Sequence, residues 1–177
     1  MNVSLLARVV HVLEQNEIAF AMIGAAAMAA HGVSRSTYDT DLFSVGEAAL
    51  DARIWQALEA DGIDIDVRCG DDDDPLLGVV RCTQADQTID LVVGRSQWQS
   101  EVIARATPTH VFALNLPIAT IEDLIVLKLY AGGIQDRWDI EQLLASGGAA
   151  IGLTEIDTRL HRLPEHCQAL WRQLRPA

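Results

Sequence analysis

A chain of 177 residues, half of them hydrophobic, can bury one sizeable core, while its formal net charge of -12 excludes extensive nonspecific binding to nucleic acid, which rests on neutralising phosphates with Lys and Arg. The longest apolar stretches, such as Ile18 to Ala30, are interrupted and fall short of the ~20 residues that span a bilayer, so no membrane segment or membrane partner is expected. Cys69, Cys82 and Cys167 lack C-x-x-C spacing, and Met1-Asn2-Val3-Ser4-Leu5 lacks a basic n-region; a cytoplasmic location with reduced thiols follows, rather than a disulfide framework, a zinc site or secretion.

Leu5, Leu6, Val9, Val10 and Leu13 recur at helical spacing and predict a first amphipathic helix ending near Asn16. Ala19 to Ile23 reads as a short buried strand, broken by Gly24. Ala25 to Ala30 follows as an alanine-rich helix whose small side chains suit close packing beneath a strand-to-helix turn. Ser36 to Val45 supplies another strand, and Leu50, Ile54, Ala57 and Leu58 share one face of a helix expected over 48–60. Ile63 to Val67 alternates, which puts Asp64 and Asp66 on the solvent face of a half-buried strand, with metal ligation as the rival reading. Asp71-Asp72-Asp73-Asp74 before Pro75 reads as a solvated turn. Leu76 to Thr83 and Thr88 to Val93 complete a sheet of about five strands, joined to each other by a hairpin turn at Gln84-Ala85-Asp86-Gln87.

From Ser96 onward the pattern is mostly helical, apart from a short extended stretch around Val111 to Leu116. Thr120-Ile121-Glu122-Asp123 has the form of a capping box opening a helix over 121–131, which Gly132-Gly133 ends. A second helix is expected from Gln135 to Ala145, Thr154-Glu155-Ile156-Asp157 reads as a further cap, and two short helices flank Pro164. The fold class expected is α/β (α+β): a core over 1–95, then a mostly helical region over 96–177 packed on it.

The chemistry lies in the acids. In Thr37-Tyr38-Asp39-Thr40-Asp41-Leu42-Phe43 the period of two puts Asp39 and Asp41 on one strand face. Asp90 sits in the apolar run Gln87-Thr88-Ile89-Asp90-Leu91-Val92-Val93, where burial without a partner costs several kcal/mol by order of magnitude. Three converging carboxylates suit a hard divalent cation, Mg or Mn, with room left for water and phosphate. Lys128 interrupts the run Leu124-Ile125-Val126-Leu127, so it needs solvent or an anionic partner such as a phosphate.

In order and spacing these residues resemble nucleotidyltransferases of the DNA polymerase β-like superfamily, and among them the small AbiEii-like proteins of bacterial abortive-infection and toxin-antitoxin systems. Ile23-Gly24-Ala25 matches the family's phosphate turn, Arg35-Ser36-Thr37-Tyr38-Asp39-Thr40-Asp41 its R-x-T-x-D-x-D stretch, Asp90 its third acid, and Leu124 to Leu143, with Lys128, Arg137 and Asp139, its following helical segment. The resemblance covers about Phe20 to Leu144. It implies a nucleotidyltransferase-type mixed sheet flanked by helices and a C-terminal helical bundle. It also implies metal-dependent transfer of a nucleoside monophosphate from an NTP to a hydroxyl, with Asp39, Asp41 and Asp90 as catalytic metal ligands. Gly24, Ala25, Arg35, Thr37 and Lys128 are then phosphate candidates, Arg35 and Thr37 having a plain surface or strand role as their alternative. Arg137 and Asp139 are expected to pair with each other or with Lys128 in a supporting network.

The acceptor stays open between tRNA, a protein and a small aminoglycoside or lincosamide, the first two in company with a cognate antitoxin. One departure from the pattern is Ala25-Ala26, where the family carries a second glycine or a serine, so the phosphate turn lacks a hydroxyl. That favours, as the alternative, a catalytically impaired nucleotide-binding or protein-interaction module of the same fold. His31 reads as a helix-end residue or a substrate contact, and Trp55, Trp98, Trp138 and Trp171 as packing residues. Arg159, His161, Arg162, Arg172 and Arg175 form a local excess of positive charge, which either contacts a nucleic acid or partner or merely balances the acidic body.

Overall fold

The computed structural model describes residues 4–34 and 39–176. Helix α1 (Leu5–Gln15) is capped by the Ser4 hydroxyl and buries Leu5, Leu6, Val9, Val10, Val12 and Leu13 against the strands at 76–84 and 87–94, each full burial contributing ~1.5–3 kcal/mol. β1 (Phe20–Met22) leads through Ile23 into α2 (Gly24–Ala30), and β2 (Asp39–Val45) follows. β3 (Asp64–Cys69), β4 (Leu76–Gln84) and β5 (Gln87–Gly94) form an antiparallel meander. The turn between the last two is the two residues Ala85 and Asp86, with Gln84 and Gln87 as register partners and Ala85 at φ +54.

One seven-stranded mixed sheet results, in the order β3-β4-β5-β2-β1-β7-β6, with β2 parallel to β5 and antiparallel to β1. About five strands were expected, and the two extra ones are β6 (Thr107–Val111) and β7 (Leu114–Ile118), a hairpin on the β1 side of the sheet. Its turn, Phe112-Ala113, holds both residues at positive φ without glycine or asparagine, and Pro108 faces Pro117 at a register position where neither strand has an N–H to donate. Residues on both sides of position 95 therefore share one sheet.

The helix expected over 48–60 is instead two 3-10 turns, Glu47–Leu50 and Ala52–Trp55, followed by a short α3 (Gln56–Ala60). Asp51 breaks it: its backbone is extended and its carboxylate accepts from Arg53 N at 3.0 Å, while Trp55 is buried and donates to Ala49 O. α4 (Gln97–Arg105) packs on β1 and β2. α5 (Ile121–Ala131) opens at Thr120, whose hydroxyl accepts from Asp123 N, and closes at Gly132 in the left-handed conformation. α6 (Ile134–Gly147), α7 (Leu153–Leu160) and α8 (Glu165–Leu174) all pack on α5. The cap expected at Thr154 lies inside α7, whose N-cap is Gly152, its N–H donating to Glu122 at 3.0 Å. Trp55 and Trp171 are buried and Trp98 stacks edge-on against Tyr130, but Trp138, 42% accessible, is exposed, as is Ile134.

Candidate active site

Four charged residues stand in one row across four neighbouring strands. Asp41 of β2 is the register partner of Asp90 in β5, Asp90 of Arg81 in β4, and Arg81 of Asp66 in β3. Register partners point to the same face, so the row is a stripe of three acids and one arginine, with Asp41 and Asp90 adjacent at one end and Arg81 between Asp90 and Asp66. Asp39, two positions before Asp41, shares that face at the start of β2. The row lines a cavity of about 360 Å3, whose rim also carries Arg68, Cys69 and Asp74.

Gly24, the first residue of α2, closes in on the acid pair. Its φ is +63, and a Cβ built there would fall 1.9 Å from Asp41 Oδ2, so only glycine admits that carboxylate. The contact places the start of α2 against Asp41, and Ile23 N donates to Asp41 O at 3.0 Å. No side chain caps this helix, so its first-turn N–H groups, including those of Ala25 and Ala26, have no partner from within the helix. Ala25 is buried and brings no hydroxyl.

Arg81 was not foreseen from the sequence. Its Nε donates to Asp90 Oδ1 and a terminal nitrogen to Asp90 Oδ2, both at 2.7 Å. This two-pronged pair, then the charges of Asp39 and Asp66, push the guanidinium's proton affinity further up. The signal was available: once the hairpin turn is centred on Ala85-Asp86, counting outward pairs Gln84 with Gln87 and, three steps later, Arg81 with Asp90. Asp66, the rival ligand, instead accepts from Arg68 Nε at 2.7 Å. The acidic run is an exposed turn, as expected, and it is tied down: Asp71 accepts from the N–H groups of Asp73 and Asp74, and the Arg95 guanidinium donates to the carbonyls of Asp71, Asp72 and Leu76.

The remaining candidates divide. Arg35 and Thr37 lie outside the described residues. Lys128 is buried, and its anionic partners come from α6: Nζ donates to Asp139 Oδ2 at 2.5 Å and to Asp136 Oδ1 at 3.2 Å. Asp139 also accepts from Gln135. Arg137 takes no part in that pair and reaches Gln173 of α8 and Glu141 instead. His31 ends α2, its Nε2 2.8 Å from Ala119 O.

A hard divalent ion suits oxygen donors such as Asp39, Asp41 and Asp90, and the close approach of Gly24 to Asp41 keeps side-chain bulk away from that carboxylate. Among the described residues no three His, Cys, Asp or Glu side chains are gathered as a cation cage, and Asp90 gives both its oxygens to Arg81.

Residues 2–175 match the profile of a family described as nucleotidyl transferase of unknown function (DUF2204). The fold is similar to the solution structure of the antibiotic-resistance factor ANT(2'')-Ia, at 16% identity over 95% of this chain and 94% of that one, with a TM-score of 0.57. It is similar to the crystal structure of ANT(2'')-Ia in complex with adenylyl-2''-tobramycin, at 14% identity over 96% of each chain and a TM-score of 0.56. A Thermotoga maritima protein assigned as a nucleotidyltransferase, TM1012, matches at 13% identity over 79% of this chain and 90% of that one, with a TM-score of 0.53. No curated protein matches the chain.

Proposed function

The chain belongs to the nucleotidyl transferase family DUF2204, and from that premise we propose that it moves a nucleoside monophosphate from an NTP to a hydroxyl of a small, amine-bearing acceptor, with Asp39, Asp41 and Asp90 as the ligands of Mg (or Mn). The observation that carries this is the adjacency of Asp41 and Asp90 on parallel strands, with Gly24 pressed against the Asp41 carboxylate. Bound there, a divalent ion would offset triphosphate charge and support in-line displacement of pyrophosphate. Asp39 and Asp41 would hold the nucleotide side, and Asp90, facing the cavity, would hold the acceptor side and favour loss of the acceptor hydroxyl's proton. The first-turn amides after Gly24 would take phosphate oxygens by backbone alone, Ala25 and Ala26 having no hydroxyl to add.

The cavity supports a cationic acceptor. Asp41, Asp66, Asp74 and Asp90 outnumber Arg68 and Arg81 around it, and those two arginines are already paired with Asp66 and Asp90. The structural neighbour ANT(2'')-Ia was solved with adenylyl-2''-tobramycin, an aminoglycoside product. The AbiEii-like toxin reading, with tRNA or protein as acceptor and a cognate antitoxin as partner, draws no support from the C-terminal arginines: Arg159, Arg162 and Arg175 bind Asp123, Glu101 and Asp157. The impaired-module reading is favoured by one observation, the missing hydroxyl at Ala25-Ala26.

Melting temperatures of the wild type and Asp41→Asn with each NTP, with and without Mg, test the reading. A ligand at ~100 times its Kd adds ~2.7 kcal/mol of stability. Stabilisation that needs both Mg and nucleotide and vanishes in the variant is the expected result, followed by pyrophosphate release when amine-bearing acceptors are added. Binding without release on any acceptor would leave the impaired module, and no binding at all would overturn both.

A further inference from the structure

We propose that Arg81 is a resident counter-cation of Asp90 that a divalent ion must displace, so that this arginine, as a positioning residue, sets when the metal site assembles; the proposal rests on the nucleotidyl-transfer reading of the same acids. Asp90 lies on an interior strand with its side chain only 12% exposed, where a lone carboxylate is costly. Arg81 satisfies it from the neighbouring strand, and the fork occupies both oxygens that a metal would need.

The arginine is the partner free to move. Its side chain is 48% exposed and borders the cavity, whereas Asp90 is enclosed by its strand neighbours. It also has a second seat, because its register partner on the other side is Asp66, a carboxylate of the same row that it would share with Arg68. Arg81 on Asp90 keeps the third acid closed to metal; Arg81 leaning outward to Asp66 opens it. A dication at Asp90 compensates the buried carboxylate that the departing guanidinium leaves, so neither state strands the charge.

Calorimetric titration with Mn alone separates this from a scaffold role, since a scaffold predicts weaker metal binding when Arg81 is removed and displacement predicts tighter binding. The full chain is compared as wild type, Arg81→Ala, Arg68→Ala, Asp41→Asn and Arg81→Ala/Asp90→Asn. Releasing a competitor of ~1.4 kcal/mol gives about tenfold tighter Mn binding in Arg81→Ala. Arg68→Ala removes the same charge from the same cavity but from Asp66, and a clearly smaller gain is expected there. Adding Asp90→Asn should cancel the Arg81→Ala gain. Equal gains from the two arginine variants, or weaker binding in Arg81→Ala, overturn the proposal. Should Arg81→Ala fail to fold, Arg81→Lys, which keeps the charge and loses the fork, must still bind Mn more tightly than wild type, or the proposal falls. Mn binding lost in Asp41→Asn but indifferent to Arg81 overturns the displacement alone; Mn binding indifferent to Asp41→Asn overturns the metal-site reading and the proposal with it.

Discussion

Gly24 and Asp41 are in such close apposition that a methyl group on the glycine would sit 1.9 Å from the carboxylate oxygen and 2.9 Å from Asp41 Cβ. The near contacts include Cβ and Cγ as well as the carboxylate tip, so a larger residue must push the whole Asp41 side chain out of the row. The φ of +63 adds ~1–2 kcal/mol of strain for a residue with a Cβ. Gly24→Ala is expected to cut transfer by about two orders of magnitude, the scale on which ~1 Å displacements act, with a melting temperature lower by a few degrees. Steady-state kinetics beside a thermal melt check it; a variant that keeps the wild-type nucleotide response would show that the contact is not needed.

Lys128 and Asp139 form the next test, because the carboxylate is fully buried and the ammonium nearly so. Lys128→Met removes the ammonium that donates to the buried Asp139, and a loss of ~3–5 kcal/mol is expected in urea denaturation. Lys128→Met/Asp139→Leu removes both charges and should regain most of that stability. The nucleotide KM of the regained double variant then decides the phosphate role: an unchanged KM means that Lys128 serves α6 alone, and a raised one means that it also reaches substrate.

How far the site was legible follows from which residues depend on local pattern. Gly24, the alternation around Asp39 and Asp41, and the lone acid in β5 are each visible within a few positions, because strand period and glycine breaks are local properties. Lys128 announced its need for an anion, but that Asp139 and Asp136 meet it depends on how α6 folds back on α5, which is tertiary. The β6–β7 hairpin was missed because its turn has neither glycine nor asparagine and both strands carry a proline, so pairing against β1 overrides the local signal. Asp51 likewise split a helical stripe by capping the residue two ahead of it, which apolar spacing does not report.

The cysteines give a chemical readout of the sheet. Cys82 is fully buried on β4, and its thiol is pushed up to about 12, first by burial and then by the negative charge of Asp90. Burial pushes the Cys167 thiol up as well, while Cys69 is exposed at the cavity rim. At pH 8 a maleimide is expected to label Cys69 rapidly and the other two only as fast as the protein unfolds, which peptide mass spectrometry resolves. Rapid labelling of Cys82 in the native protein would mean that β4 opens, or that its sheet environment is other than described.

The C-terminal helices should be the acid-labile part of the molecule. Hydrogen bonds from Arg175 hold the Asp157 carboxyl below its ordinary value, with Trp171 donating to the same group at 2.6 Å, and Arg162, then Arg105, do the same for Glu101. These folded-state values are depressed, so the stabilisation is fully present above the unfolded carboxylate values of about 4 and is lost as pH falls through the lower folded ones. Both acids are more than a third exposed and so screened by solvent, and the effect is a loosening of α7 and α8 below about pH 4, ahead of the sheet, rather than global collapse. Hydrogen exchange followed by mass spectrometry between pH 5 and 2.5, corrected for intrinsic rates, is expected to show 153–174 losing protection before β2 and β5. Asp157→Asn, which cannot form the charged pair with Arg175, should give α8 its low-pH exchange already at pH 7 and remove most of its further pH dependence. Simultaneous loss of protection in helices and sheet would instead show that one cooperative unit carries both.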